Sequence, residues 1–228
     1  MTVQSASLQA ELLWFCVPDR EIRAAAASLA TLAQAKVRFA FHSSGVLPSR
    51  ELDPLRKAGI AVASVHPVMT FVPGSSPSLA GVPFAVEGDA AATRIARRVV
   101  RDLRGDAFAL PASRKAAYHA WATMTSPLLL AFLVTLEDTA LAAGLTREDS
   151  RRKSLPIIQQ TLKNYSQRGP RHSFSGPIIR GDVETVAKHL AVLRGYPEAG
   201  AVYTALARLA LRRLPVKNRK QLRQLLQE

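Results

Sequence analysis

Four titratable side chains in this chain have the type and spacing to move a proton. His42 follows an apolar run at residues 37–41 (VRFAF) and opens His42-Ser43-Ser44-Gly45. His66 follows a second, β-branched run at residues 60–65 (IAVASV) and is stiffened by Pro67. An imidazole titrates near neutrality and can pass a proton to or from a hydroxyl, carbonyl or imine. Farther on, Lys115 and His119 stand at i and i+4, so on a helix the ammonium and the imidazole share one face. Lowering the lysine's pKa would take burial or a neighbouring cation, and His119 could be part of that arrangement. Each group has a plainer alternative. The histidines could hydrogen-bond the backbone of their loops, and Lys115 could be a surface lysine beside a helix-packing histidine. Two histidines at successive strand ends favour a site. Arg180, in Gly176-Pro177-Ile178-Ile179-Arg180-Gly181-Asp182, carries a fork that fits a carboxylate or phosphate, against an Arg–Asp tie in a loop where Asp182 caps the next helix.

These residues need elements to position them. Residues 11–17 (ELLWFCV) form a continuous apolar run ended by Pro18-Asp19, as in a buried parallel strand leaving a sheet. Asp19 is expected to cap an alanine-rich helix over residues 20–35. Strands follow at 37–41, 60–65, 83–86 and, shorter, 108–110, with helices at 49–58 and 89–103 between them. Strand and helix alternate, which predicts an α/β layer with a mostly parallel sheet over residues 1–110. In such sheets ligands bind outside the carboxyl ends of the strands, where His42 and His66 would emerge. From Pro111 the period becomes helical, at 116–143, 149–167, 183–193, 198–214 and 217–227. Residues 111–228 are therefore expected to form an all-helical domain, with Pro127 and Pro156 kinking or splitting their helices.

Composition narrows the class. Nearly half of the 228 residues are hydrophobic and 21% are charged, ordinary for a globular protein. The lone cysteine, Cys16, excludes a disulfide framework or a cysteine metal site, and within its apolar run a buried structural thiol is expected. No metal set is read from the sequence. The N-terminus lacks a signal-peptide pattern, and residues 127–136, the most apolar stretch, are too short to span a bilayer, so a cytoplasmic protein without a membrane partner is expected. The formal charge is +14, and from Arg151 onward 16 Lys and Arg stand against four Asp and Glu. Such asymmetry suits an anionic partner or solvated helix faces. No zinc-finger, RNP-like or helix-turn-helix pattern accompanies it, which ranks nucleic acid last.

The motif H-S-S-G, followed about twenty residues later by S-x-H-P-x-x-T-F, resembles the Rossmann-like oxidoreductases whose C-terminal half is the domain of unknown function 2520, distant relatives of the 6-phosphogluconate dehydrogenase group. The resemblance runs from about Leu12 to Leu211. It implies a Rossmann-like domain joined to a helical substrate and dimerisation domain. It further implies hydride transfer with NADP or NAD to or from a small carbonyl, hydroxyl or imine substrate in a cleft between the domains. Lys115 resembles the lysine that serves the reacting carbonyl or hydroxyl in the wider group, and the reading that follows has Lys115 and His119 supply protons, His66 and His42 orient the substrate, and Ser43, Ser44 and Arg180 contact it. Val17, Pro18 and Asp19 lie beside the nicotinamide ribose, although an ordinary turn and N-cap would read the same.

There are two departures. The chain contains no G-x-G, so the pyrophosphate turn that resembled proteins carry ahead of the strand at residues 12–17 is missing, and the Rossmann-like portion is expected to be truncated. The family's Ser-Asn on the first long helix is here Ser126-Pro127. The expectation is an oxidoreductase-like homodimer in which cofactor binding is weak or absent. The alternative is a non-catalytic binding or dimerisation protein built on the same remnant.

Overall fold

The structure, a computed structural model, describes residues 10–31 and 36–227. It divides into two compact units, Met1–Ser126 and Pro127–Glu228. The first unit runs past the 110/111 boundary expected from the change of pattern, because the first long helix is tied to the sheet by its own side chains.

The sheet of the first unit has five strands in the order β1 (Leu12–Phe15), β2 (Phe39–His42), β3 (Ala61–Pro67), β4 (Pro83–Gly88), β5 (Asp106–Ala109). β1, β2 and β3 pair in parallel, as do β4 and β5, but β3 and β4 are antiparallel. The sheet is thus mostly parallel with one reversal. It occurs where residues 68–82 join two strands without the helix that usually carries a crossover to parallel pairing. His66 lies inside β3 rather than after it, opposite Ala85.

Side chains alternate between the two faces. Phe41, Ala63, Val65, Phe84 and Val86 pack under α3 (Ala90–Asp102), which presents Ala92, Ala96 and Val100 at helical spacing. On the opposite face Ala40 and Val62 pack with Ile22 and Ala26 of α1 (Asp19–Ala30) and with Leu52 and Leu55. Leu52 ends a 3-10 turn, Ser49–Leu52, and Leu55 belongs to the short α2 (Asp53–Lys57). The expected end of α1 near residue 35 lies outside the described residues. Asp19 is the first residue of α1 and makes no cap, contrary to expectation, because its carboxylate accepts from Ser44 instead. Cys16 is exposed, not buried, since β1 ends one residue before it.

α4 (Lys115–Thr125) closes the first unit. Pro127 splits the expected helix at Ser126 (φ −125°, ψ −72°), and α5 (Pro127–Ala142) begins the second. The second unit continues with α6 (Arg147–Ser173), α7 (Pro177–Arg180), α8 (Val183–Leu193), α9 (Pro197–Arg213) and α10 (Arg219–Leu225). The non-helical backbone in α6 is at Gly169 (φ 70°), not at Pro156. A core of Val186, Ala207, Leu211, Leu222 and Leu226 joins α8, α9 and α10. Arg147 and Arg151 pair with Glu137, tying α6 to α5. By length and composition residues Ala112–Ala142 are long and apolar enough to cross a membrane, a longer stretch than residues 127–136 alone. A single stretch of this kind is by itself weak evidence of a span.

Gly88 ends β4 opposite Ala63 of the antiparallel β3, with φ 136°, and a Cβ there would lie 2.3 Å from the Val62 carbonyl oxygen. Gly88→Ala is expected to cost on the order of 3 kcal/mol of stability through backbone strain and displacement of β3. Urea unfolding of the two proteins would show it as a lowered midpoint at unchanged m-value.

Candidate functional site

Three side chains of the α1/α2 face stand in one row across the sheet. His42 pairs with Ser64 and Ser64 with Glu87, while His66 lies one pleat farther along β3. Above the row the chain of residues 42–49 turns back, and α4 reaches it. The Lys115 ammonium donates to the Ser44 carbonyl at 3.0 Å and to the Ser64 hydroxyl at 2.6 Å. Lys115 is 1% exposed. Burial pushes its pKa down to about 8, offset in part by the carboxylates of Glu87 and Asp19. The surface-lysine alternative is thereby excluded, and burial, not His119, is the cause of the shift.

His42 is a scaffold residue. Its Nδ1 accepts from the Ser44 amide at 3.1 Å, so Nε2 carries the proton and donates to the Pro48 carbonyl, also at 3.1 Å. At 0% exposure, with both nitrogens engaged by its own loop, it has nothing to offer a substrate. This corrects its assignment as a substrate-orienting residue. Ser44 is likewise engaged. Its hydroxyl donates to Asp19 Oδ2 at 2.6 Å and accepts from the Leu47 amide at 2.9 Å, and its carbonyl also receives the Ser64 hydroxyl at 3.3 Å. Ser43 accepts from the Trp14 indole at 2.8 Å. The far end of the loop is held by Glu87, whose two oxygens accept from the Ser49 amide and hydroxyl at 2.5 and 2.9 Å.

His66 and His119 remain accessible. Both are partly buried, with ring centroids 6.4 Å apart and near-perpendicular planes. The Nδ1 of His66 lies 2.6 Å from the Tyr118 hydroxyl. Burial holds the tyrosine pKa up at about 12, so the phenol keeps its proton. Burial, then Lys115 and His119, hold His66 down at about 4, so it is neutral at physiological pH. Gly45 faces both imidazoles, and a Cβ on it would lie 2.6 Å from His119 Cδ2 and 2.8 Å from His66 Nε2. Tyr118 was not singled out from the sequence, although its position three residues after Lys115 puts it on the same helix face. Ser64 was also missed, yet it precedes His66 by two and so shares its face of the strand.

Asp19 is tied to this cluster through Ser44, whereas Val17 and Pro18 lie at the exposed end of β1. Arg180 belongs to the second unit, where it ends α7 before Gly181, and Asp182 caps α8 by accepting from the Thr185 amide. The helix starts that follow β1, β2 and β4 are acidic. Asp19 and Glu21 open α1, Glu51 and Asp53 flank the start of α2, and Asp89 precedes α3. A helix N-terminus favours an anion through its dipole and free amides; the carboxylates of Asp19 and Glu21 oppose one at α1, while Glu51, Asp53 and Asp89 are paired with Arg23 and Arg56. No cluster of metal-ligating side chains occurs among the described residues.

The buried histidines make the fold acid-sensitive. His42 is also held down at about 4, by burial above all, while a histidine in the unfolded chain titrates near 6.5. Between pH 6.5 and 4 the unfolded chain binds more protons than the folded one, so stability must fall as pH falls through that window. Melting temperatures measured from pH 7 to pH 4 should decline steeply below 6.5. A His42→Gln variant, already less stable at pH 7, should show a shallower decline.

Known proteins share this architecture. Protein TM1727 from Thermotoga maritima matches with a TM-score of 0.70 at 22% identity, over 90% of this chain and 78% of that one. Protein BF3122 from Bacteroides fragilis, provisionally named an NADP oxidoreductase, gives 0.72 at 16% identity over 90% and 76%. A pyrroline carboxylate reductase from Plasmodium falciparum, solved with NADP bound, gives 0.58 at 13% identity over 86% and 77%. At these identities the likeness is one of fold, and it makes the first unit Rossmann-like. No curated protein matches the sequence. The domain of unknown function DUF2520 matches residues 82–210, more than half of the chain, and the chain belongs to that family.

Proposed function

We propose that this protein is oxidoreductase-like and takes a small carbonyl, hydroxyl or imine compound at the corner formed by Gly45, His66 and His119. The observation that carries this reading is Gly45, a backbone without a Cβ held against two imidazoles that remain partly open. A side chain there would fill the space. His66, neutral and backed by the protonated Tyr118, can accept a proton at one nitrogen while its other partner stays in place. His119 supplies a second exchangeable proton beside it. Lys115 acts through position, fixing Ser44 to β3 and so setting the height of Gly45 over the rings.

The family likeness implies NADP or NAD as hydride carrier. The residues described here fit its pyrophosphate poorly, since the helix starts after β1, β2 and β4 are acidic and the chain has no G-x-G turn. Weak binding of NADPH by this polypeptide alone follows. The same acidic helix starts favour the second reading, a non-catalytic binding protein on a Rossmann frame. We place the protein in the cytoplasm on either reading.

Oxidation of NADPH can be followed with a panel of small cyclic imines, ketones and aldehydes, at cofactor concentrations far above 1 μM. Slow turnover is expected, with His66→Ala reducing it by about 10²-fold. Calorimetry should give an NADPH Kd well above ~1 μM. An absence of turnover across the panel at millimolar NADPH would leave the binding-protein reading.

We further propose a homodimer paired through the helical half. α5 is apolar along most of its length yet has no buried residue, and Leu128, Leu129, Leu130 and Val134 are exposed on it, as are Leu155, Ile157 and Leu162 on α6. An unpartnered apolar surface of this extent marks an interaction site. Light scattering should return twice the 24.7 kDa chain mass, and Leu129→Glu/Leu130→Glu should return the single mass. A monomer mass for the unaltered chain across a wide concentration range would refute the dimer.

A further inference from the structure

The charge around Gly45 is one-sided. Lys115 is buried, and both its hydrogen bonds go to uncharged acceptors, the Ser44 carbonyl and the Ser64 hydroxyl. Among the described residues it forms no ion pair. The two carboxylates that attract it through space, Glu87 and Asp19, are turned to other partners. Glu87 accepts from the Ser49 amide and hydroxyl, and Asp19 accepts from the Ser44 hydroxyl.

The Ser44 carbonyl belongs to the peptide that joins Ser44 to Gly45, so the cation is bonded to the same stretch of backbone that faces the two imidazoles. An ammonium on a carbonyl polarises the whole peptide and makes its N–H a stronger donor. That N–H, on the buried Gly45, has no acceptor among the described residues. A buried donor without a partner costs free energy until something accepts from it.

The positive charge is felt at His66. Burial is the first cause of its lowered pKa, Lys115 the second and His119 the third, and the opposing effect of Asp19 is smaller. Among the described residues neither imidazole pairs with a carboxylate, and the partner of His66 is the uncharged Tyr118 hydroxyl. His42, the other titratable group against this loop, is neutral and has both nitrogens occupied. A cation entering the corner therefore meets repulsion, whereas a negatively charged oxygen meets attraction and a free donor.

We propose that the corner selects oxygen that carries negative charge, so that its substrate is a carbonyl compound or the matching hydroxyl compound and not an iminium ion. This rests on the reading of the corner as a substrate site and narrows it. A carbonyl oxygen is partly negative, and its charge grows on the way to a hydroxyl, where fixed donors and cations stabilise it. An iminium group would bring a full positive charge to the same place. Lys115 thus has a second effect besides fixing the loop: it sets the sign of the charge that the corner accepts.

Three probes with one ring separate charge from shape: cyclopentanecarboxylate, cyclopentanone and cyclopentylammonium. Each is titrated into the full chain at about 0.15 M salt, so that diffuse surface attraction is screened. Binding is read by NMR at the imidazole signals of His66 and His119, assigned with His66→Gln and His119→Gln variants. At pH 7 the carboxylate and the ketone should shift both signals saturably, and cyclopentylammonium should bind at least about tenfold more weakly than the carboxylate. At pH 9 Lys115, whose pKa is about 8, is largely neutral, while a carboxylate and an alkylammonium keep their charges. The preference should then fall to within about twofold or reverse, because Asp19 and Glu87 are left without the opposing cation. Cyclopentylammonium that binds as tightly as the carboxylate at pH 7 would overturn the proposal alone, as would a preference unchanged at pH 9. If no probe shifts either signal even at tens of millimolar, the corner is not a substrate site, and the reading falls together with the proposal.

Discussion

The ammonium of Lys115 is the tie on which the first unit depends. Removing a cation from water is costly unless it is hydrogen-bonded, and here two acceptors, the Ser44 carbonyl and the Ser64 hydroxyl, come from chain segments otherwise remote in sequence. The attraction of Glu87 and Asp19 offsets part of the cost, but burial remains the larger effect on the lysine's pKa. One side chain thus fixes three things at once: the start of α4, the loop after β2 and the middle of β3. Tyr118 and His119 follow Lys115 on α4, and so their position against His66 is inherited from this tie.

Around it the polar groups divide into a holding set and an open set. His42, Ser44, Ser49, Glu87 and Asp19 pair with one another's backbone or side chains and leave no spare donor directed outward. Their common effect is to keep the loop of residues 42–49 at one height over the sheet. His66, Tyr118 and His119 form the open set, with a tyrosine that keeps its proton beside a histidine that stays neutral. The packing cost of the holding set is the acid sensitivity of the buried His42 imidazole.

The second unit has a different character. Its core joins α8, α9 and α10, while α5 offers apolar side chains that nothing in the unit buries. Its positive charge is also uneven. Arginines of α6 near residue 150 are answered by carboxylates of α5 and α6. Net charge alone could not separate a solvated face from a paired set, because the difference lies in where the side chains meet.

Much of this protein was legible in its sequence, because local patterns carry it. The alternation of strand and helix, the change to a helical period near residue 111, the split at Pro127 and the nearness of His66, Lys115 and His119 all follow from periodicity, proline geometry and a resemblance in two short motifs. What the sequence could not settle was pairing. The reversal between β3 and β4 depends on hydrogen bonds between segments some twenty residues apart, and it placed His66 within a strand where a loop was expected. His42 and His66 look alike as histidines behind apolar runs, yet one has both nitrogens closed by its own loop and the other faces a glycine. A residue's chemistry is set by what fills the space around its polar atoms, and that space is made by residues such as Ser44, Ser64 and Gly45 coming together from distant parts of the chain. Tertiary structure alone decides which of two equivalent side chains is support and which is left open.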